Sequence, residues 1–326
     1  MSTRHGAGLA LASLLLAGIG LWALALPAAQ APKVLVLGSP EPPATPPPGA
    51  LPSAAEQARA EGAQGVPVAQ VSFVETRVDV RTAEGDWERL PEGGRVHTGD
   101  HLRTGPESVA RLEFPWMSVL LAPGSQLGVS KGTILGLRLE AGRVEMASGR
   151  DDMIKLDTPE ARLRGRGEVV VRRDGQTTRI SVLHGDMRVS AARSAARLVE
   201  GSGCVVEPQG ACVPRPLPEA PAGLVPGADP IYVAVGESAT LTWRAAPADF
   251  HVQVLSFDAD AVLLQRDVTE PPFEVAVPWP GLYRWRVSAR AADGLEGPPS
   301  LEGLFQVMPR EWLKTNDGQA SDKKAP

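Results

Sequence analysis

Apolar and polar positions alternate with a period of two through most of the chain after residue 70, in runs too short for helices. VARLEF (109–114) sets Ala110, Leu112 and Phe114 against Val109, Arg111 and Glu113. LRLEAGRVEM (137–146) sets Leu137 and Leu139 against Val144 and Met146 across Gly142. ISVLHGDMRVS (180–190) repeats the scheme, with Ile180 and Val182, then Gly185 and Asp186, then Met187 and Val189. Period two predicts strands with one buried face. A glycine near each reversal supplies the backbone freedom of a turn, so both glycine-centred segments read as hairpins. PEGG (91–94), APGS (122–125) and RRDG (172–175) mark further turns. Residues 71–190 thus read as one antiparallel-rich β domain without a major packing helix.

A second alternating block covers 231–308. Its runs are IYVAVG, ATLTWRA, FHVQVLSF, AVLLQRDV, FEVAVPW, LYRWRVSAR and GLFQVM. Seven short strands in so few residues predict a β-sandwich with Trp243 and Trp285 between its sheets. Within LYRWRVSA, Tyr283, Trp285 and Val287 share one face and Arg284, Arg286 and Ser288 the other. The expected fold class is mainly β.

The remaining segments do not alternate. Residues 7–29 carry no charge and follow Arg4 and His5, the arrangement of an export signal. The run is long enough to span a bilayer as a retained signal anchor, and Ala29-Gln30-Ala31 also permits cleavage as a signal peptide over 1–31. Either outcome places the rest outside the cytoplasm, in the periplasm or on the extracytoplasmic face. Residues 32–70 form a Pro/Ala-rich linker in which SPEPPATPPPGALP favours extended geometry and SAAEQARAEGAQG allows a brief solvated helix. Residues 191–230 read as a connector that leaves the last strand as a brief helix or irregular tail, with a hinge between Val213 and Pro230. Residues 309–326 read as a polar, frayed tail.

Composition narrows the function. Gly (34) and Pro (31) make about a fifth of the 326 residues, which suits short strands and many turns. With 33 basic against 38 acidic residues the net charge is -5, which argues against a nucleic-acid partner. The two cysteines, Cys204 and Cys212, are spaced for a small-loop disulfide in an oxidising compartment, or are two free thiols.

Candidate chemistry is sparse. His97 and His101 are four apart beside Asp100, but in a strand and turn that spacing does not bring two imidazoles together. Asp100 reads as a turn residue accepting backbone hydrogen bonds, with Arg103 pairing to it or to Glu107. His184 sits at a hairpin turn and His251 leads a strand, neither with a nucleophile or orienting partner. Asp151 with Asp152 and Asp258 with Asp260 are too few for an oxygen cage. Arg162, Arg164 and Arg166 alternate, so in a strand they share one side. That stripe, near Arg172 and Arg173, suits an anionic glycan, lipid headgroup or cell-wall polymer, or is a solvated face balanced by Glu160, Glu168 and Asp174. No residue is assigned a catalytic, cofactor-binding or metal role; no cofactor is expected, and the chain does not read as an enzyme.

Residues 71–190 resemble the FecR-type domain, named for an envelope protein that relays iron-citrate sensing. The likeness rests on GGRVHTGDHLRTGPESVARLEF (93–114), LAPGSQLGV (121–129), LEAGRVEM (139–146), LDTPEARLRGRGEVVVRR (156–173) and VLHGDMRVS (182–190). Its positions are Gly99, Asp100, Leu102, Arg103, Thr104, Gly105, Ser108, Ala110, Leu112 and Phe114, then Gly124 and Ser125, Gly142 and Val144, and Gly185, Met187 and Val189. GLYRWRVSARAADGLEGPPS (281–300) resembles the late strand and turn of immunoglobulin- or fibronectin-type sandwiches. The resemblance implies fold and compartment. Six residues precede the apolar run, too few for the cytoplasmic anti-sigma region of the family's name-giving member. The expected function is a non-enzymatic envelope scaffold or adaptor that binds another envelope protein or polymer. Signal sensing and regulation, or peptidoglycan or glycan binding, are the alternatives, and the inner membrane is a partner if the apolar run is uncleaved.

Overall fold

The computed structural model describes residues 35–36, 66–82, 85–130, 136–246, 248–259 and 261–317, and among these the protein is mainly β, with antiparallel and parallel pairings. The apolar run 7–29 and the proline-rich part of the linker lie outside the described residues. Among the described residues no helix is long and apolar enough to cross a membrane.

Among the described residues, one extended sheet of fifteen strands organises the first β unit. The strands Val109–Phe114 and Met117–Leu121 form a hairpin, and the latter pairs with Leu137–Ser148. That strand pairs in turn with Ala161–Asp174, which runs beside Thr177–Ala191 over fourteen residue pairs. A single cluster from Ala69 to Cys212 fills the interior, with Leu112, Leu121, Leu139, Met146, Ile154 and Leu163 shielded from solvent.

Two expected hairpins are absent. Leu137–Ser148 and Thr177–Ala191 are each one continuous strand that passes through Gly142 or Gly185 at positive φ (87° and 82°). Both glycines bend a strand rather than reverse it. A Cβ on Gly142 would lie 2.5 Å from the Ser125 Cα, and one on Gly185 would lie 2.3 Å from the Arg166 carbonyl oxygen. These positions need glycine because backbone approaches them closely, a use of the residue that sequence alone does not separate from a turn. His184 accordingly lies in a strand.

The chain continues in the same sheet beyond residue 190. Ser194–Val199 folds back on Thr177–Ala191, and Ser202–Val206 follows it onto the same strand, so the expected helix or irregular tail is β structure. Cys204 and Cys212 are buried and disulfide-bonded. Closing so short a loop removes about 2–3 kcal/mol of denatured-state entropy. The Cys204→Ala/Cys212→Ala protein is expected to unfold at lower urea by that amount, and added reductant should no longer change its midpoint.

Two further sheets share a second core. One contains Leu35–Val36, Phe273–Ala276, Ser238–Arg244 and Ala222–Val225. The other contains Ile231–Ala234, Gly303–Met308, Gly281–Arg290, Asp249–Ser256 and Val262–Val268, with Glu296–Pro299 on the central strand. Trp243 and Trp285 meet inside with ring centroids 6.2 Å apart, and Trp285 donates its indole N–H to the Pro226 carbonyl at 3.1 Å. Ala222–Val225 is therefore a strand despite its proline-rich setting. The segment expected to hinge is pinned from both sides, and the described residues belong to one compact unit. Helix Arg310–Asp317 begins directly after Pro309, with Glu311 in its first turn, where the charge suits the helix N-terminus. It replaces the start of the expected frayed tail.

Candidate functional site

The motif residues of the first unit are mostly architectural. The Asp100 carboxylate accepts the His97 backbone N–H at 2.8 Å and is buried. Thr104 donates its hydroxyl to the Ala122 carbonyl at 2.7 Å and accepts the Ser125 N–H at 2.8 Å. Ser108 accepts the Arg77 N–H at 3.1 Å. Each satisfies backbone groups that the turns would otherwise leave unpaired in the interior. Arg103 pairs with neither Asp100 nor Glu107. It binds Asp79 at 2.9 Å and lies over the Trp87 ring at 4.3 Å, because Val78–Arg81 runs antiparallel to His101–Thr104 and sets Asp79 opposite Arg103.

Ser125 leads to a dense cluster of buried charges. Its hydroxyl accepts the Arg143 N–H at 3.0 Å and donates to the Arg143 carbonyl at 2.9 Å. Fixed in this way, Arg143 reaches across to the second unit. It makes a two-pronged pair with Glu296, at 3.0 Å from Nε and 2.7 Å from Nη2, with both side chains about 95% covered. Glu145 sits 3.3 Å from the same guanidinium and accepts from the Gln253 amide at 3.0 Å, while Arg286 donates to Gln253 at 2.6 Å. A second cluster centres on Asp267, which contacts His251 at 2.8 Å and Arg172 and Arg290 at 2.7 Å each. Val109 and Leu120 pack with Leu255 and Val262 alongside.

Burial pushes the Glu145 carboxyl upward, but the charges of Arg143, Arg286 and His251 outweigh it and hold Glu145 at about 2. Glu296 is likewise lowered by Arg143 against its burial. Asp267 is held well below the usual carboxylate range by His251, Arg172 and Arg290, again against its burial. All three carboxylates stay charged between the units.

The remaining candidates separate. Arg172 joins the Asp267 cluster, and Arg173 pairs with Glu160 at 2.8 Å. Arg162, Arg164 and Arg166 stay on an open sheet face. His184 pairs with Glu200 at the surface, and Asp258 is exposed; Asp260 lies outside the described residues. Among the described residues no three His, Cys, Asp or Glu side chains gather as a metal set would. The sequence reading missed Arg143, Glu145, Gln253 and Glu296. The one available signal was FHVQVLSF, whose His251 and Gln253 occupy alternate positions on the face opposite the Val252 and Val254 side chains.

Residues 100–188 match the FecR family, described as FecR protein. No match is found among curated proteins. Two crystal structures of a candidate anti-sigma factor from Parabacteroides distasonis ATCC 8503 are similar over 36% of this chain and 59% of that one. Each is 17% identical with a TM-score of 0.32. The chain thus spans about three fifths of the length of that relative.

Proposed function

We propose that this protein is a non-enzymatic signal-sensing or adaptor component of the cell envelope, working on the extracytoplasmic side. The observation that carries the reading is the FecR match over residues 100–188. The export-type run at 7–29 supports the compartment, and the disulfide between Cys204 and Cys212 suits an oxidising one. In this reading the C-terminal pair of sheets is an immunoglobulin- or fibronectin-type sandwich, supported by Trp243 and Trp285 between them. The partner is another envelope protein, and the apolar run holds the chain at the inner membrane if it is retained.

The buried charge pairs favour a particular mode of action. Two β units joined by Arg143 and Glu296 present their surfaces in fixed geometry, so a partner meets one composite surface. In-cell crosslinking from the exported portion should recover one reproducible envelope protein, and deleting the chain should change the transcripts controlled by one regulator. Finding the intact chain in the cytosol, or deletion without a transcriptional change and without a crosslinked partner, would sink the reading.

A further inference from the structure

The sheet face that carries the buried charge pairs continues past the Gly167 and Gly185 bend into an open half, and there the cations have few partners. Strand Ile154–Asp157 turns Ile154 and Leu156 inward and Lys155 outward. Ala161–Asp174 turns Leu163 inward and Arg162, Arg164 and Arg166 outward. Met187, Val189 and Leu198 are buried, which leaves Arg188 and Arg197 facing solvent. Register then aligns what sequence scatters. Lys155 lies opposite Arg164, Arg164 opposite Arg188, and Arg188 opposite Arg197. Four adjacent strands carry one cation each in a single row.

That row works against folding. Directly opposed like charges on neighbouring strands are destabilising, and three such contacts occur in succession. Arg164 is relieved by Asp157 at 2.7 Å and Arg197 by Asp186 at 3.1 Å. Among the described residues the Lys155 and Arg188 side chains have no hydrogen-bonding or ion-pair partner. On the covered half of the same face Arg143 and Arg172 are matched by Glu296 and Asp267 from the second unit. The open half lacks that match.

We propose that the row Lys155, Arg164, Arg188 and Arg197 binds a linear acidic polysaccharide with an anionic group on each sugar. Strand spacing puts successive cations about 4.8 Å apart and the whole row at about 14 Å, a regular line suited to a regular polyanion. Guanidinium forks bind carboxylates with two parallel hydrogen bonds. The flanking rows set the width of the site. Asp157 lies opposite Arg162 on one side, and Asp186 lies opposite Arg166 and Val199 on the other. A narrow polymer fits between these carboxylates, whereas a bilayer or a broad acidic surface would press anions onto them. The outward positions of the row and its neighbours carry no aromatic ring on which a nucleobase would stack. The proposal adds a ligand and a site to the envelope reading. Its test uses purified protein, so a failure here leaves the sensing role standing, and a cytosolic location would leave this binding result standing.

The test is titration of the full-length protein in detergent with polygalacturonate, which has one carboxylate per sugar. Wild type should bind, and binding should weaken steeply with salt as screening shortens below the length of the row. Arg188→Glu should weaken binding about tenfold or more by reversing the central charge. Arg95→Glu, at an exposed position away from the row, should change it less than about twofold. Arg188→Thr should melt at or above the wild-type temperature while losing affinity, because it removes an opposed charge. No binding, equal losses in Arg188→Glu and Arg95→Glu, or a lowered melting temperature for Arg188→Thr would overturn the proposal. So would tighter binding to polyglutamate or to phosphatidylglycerol vesicles than to polygalacturonate, which would assign the row to an acidic peptide or a membrane.

Discussion

Replacing Glu296 with alanine is expected to cost about 3–5 kcal/mol, because it leaves a buried guanidinium without its main partner. Arg143 is 4% exposed and would keep only Glu145 at 3.3 Å, itself shared with Gln253 and near Arg286. Leu120, Leu255 and Val262 are buried together alongside. Unfolding in urea, followed by tryptophan fluorescence, measures the loss. Trp87 and Trp116 report on the first unit and Trp243 and Trp285 on the second. Wild type should show a single transition in the summed fluorescence, and the variant should split it as the units uncouple. The exposed pair Arg197 and Asp186 provides the comparison. Asp186→Ala should change stability by less than about 1 kcal/mol. The triple change Arg143→Met/Glu145→Gln/Glu296→Leu should recover most of the loss, since Glu145 also faces the Arg143 guanidinium and the three replacements together remove the cation and both carboxylates around it. A Glu296→Ala protein as stable as wild type would mean that the ion pair is not closed in solution.

The strands were legible because one-sided burial writes itself into every second residue. The runs at 109–114 and 282–290 became strands close to their expected limits. Gly142 and Gly185 misled because positive φ serves a tight turn and a bent strand equally. What separates the two is whether a neighbour crowds the Cα, and Ser125 and Arg166 are distant in sequence. The joint between the units was illegible for a related reason. Arg143 and Glu296 are 153 residues apart, and each alone looks like an ordinary charge on a solvent face. Asp249–Ser256 has six consecutive buried residues from Phe250 to Leu255, a sign that both its faces are covered, but three of the outer-face positions read as His, Gln and Leu. The open row lies between these cases. Arg162, Arg164 and Arg166 announce a basic stripe along one strand, whereas Lys155, Arg188 and Arg197 join it only through register.

Acid should dismantle the joint before it dismantles either core. Glu145, Glu296 and Asp267 all have carboxyls lowered in the folded protein, by cations that outweigh their burial. Such groups contribute fully above the ordinary carboxylate range, where both folded and unfolded chains are deprotonated. As pH falls below about 4.5 the unfolded chain takes up protons that the folded joint refuses, and the contribution shrinks with every step. For Glu145 the loss runs from there down to about 2, where the folded group also protonates. Asp267 holds out further. Glu168 works in the opposite direction, because burial raises its carboxyl and protonation relieves that burial. The net expectation is a urea midpoint that is flat near neutrality and drops steeply below about pH 4.5. Glu145→Gln should flatten part of that drop, because the variant has no proton to take up, at the cost of lower stability at neutral pH. If the midpoint held constant from pH 6 to about 2.5, the three carboxylates could not be carrying their charge in contact with Arg143, Arg286 and His251.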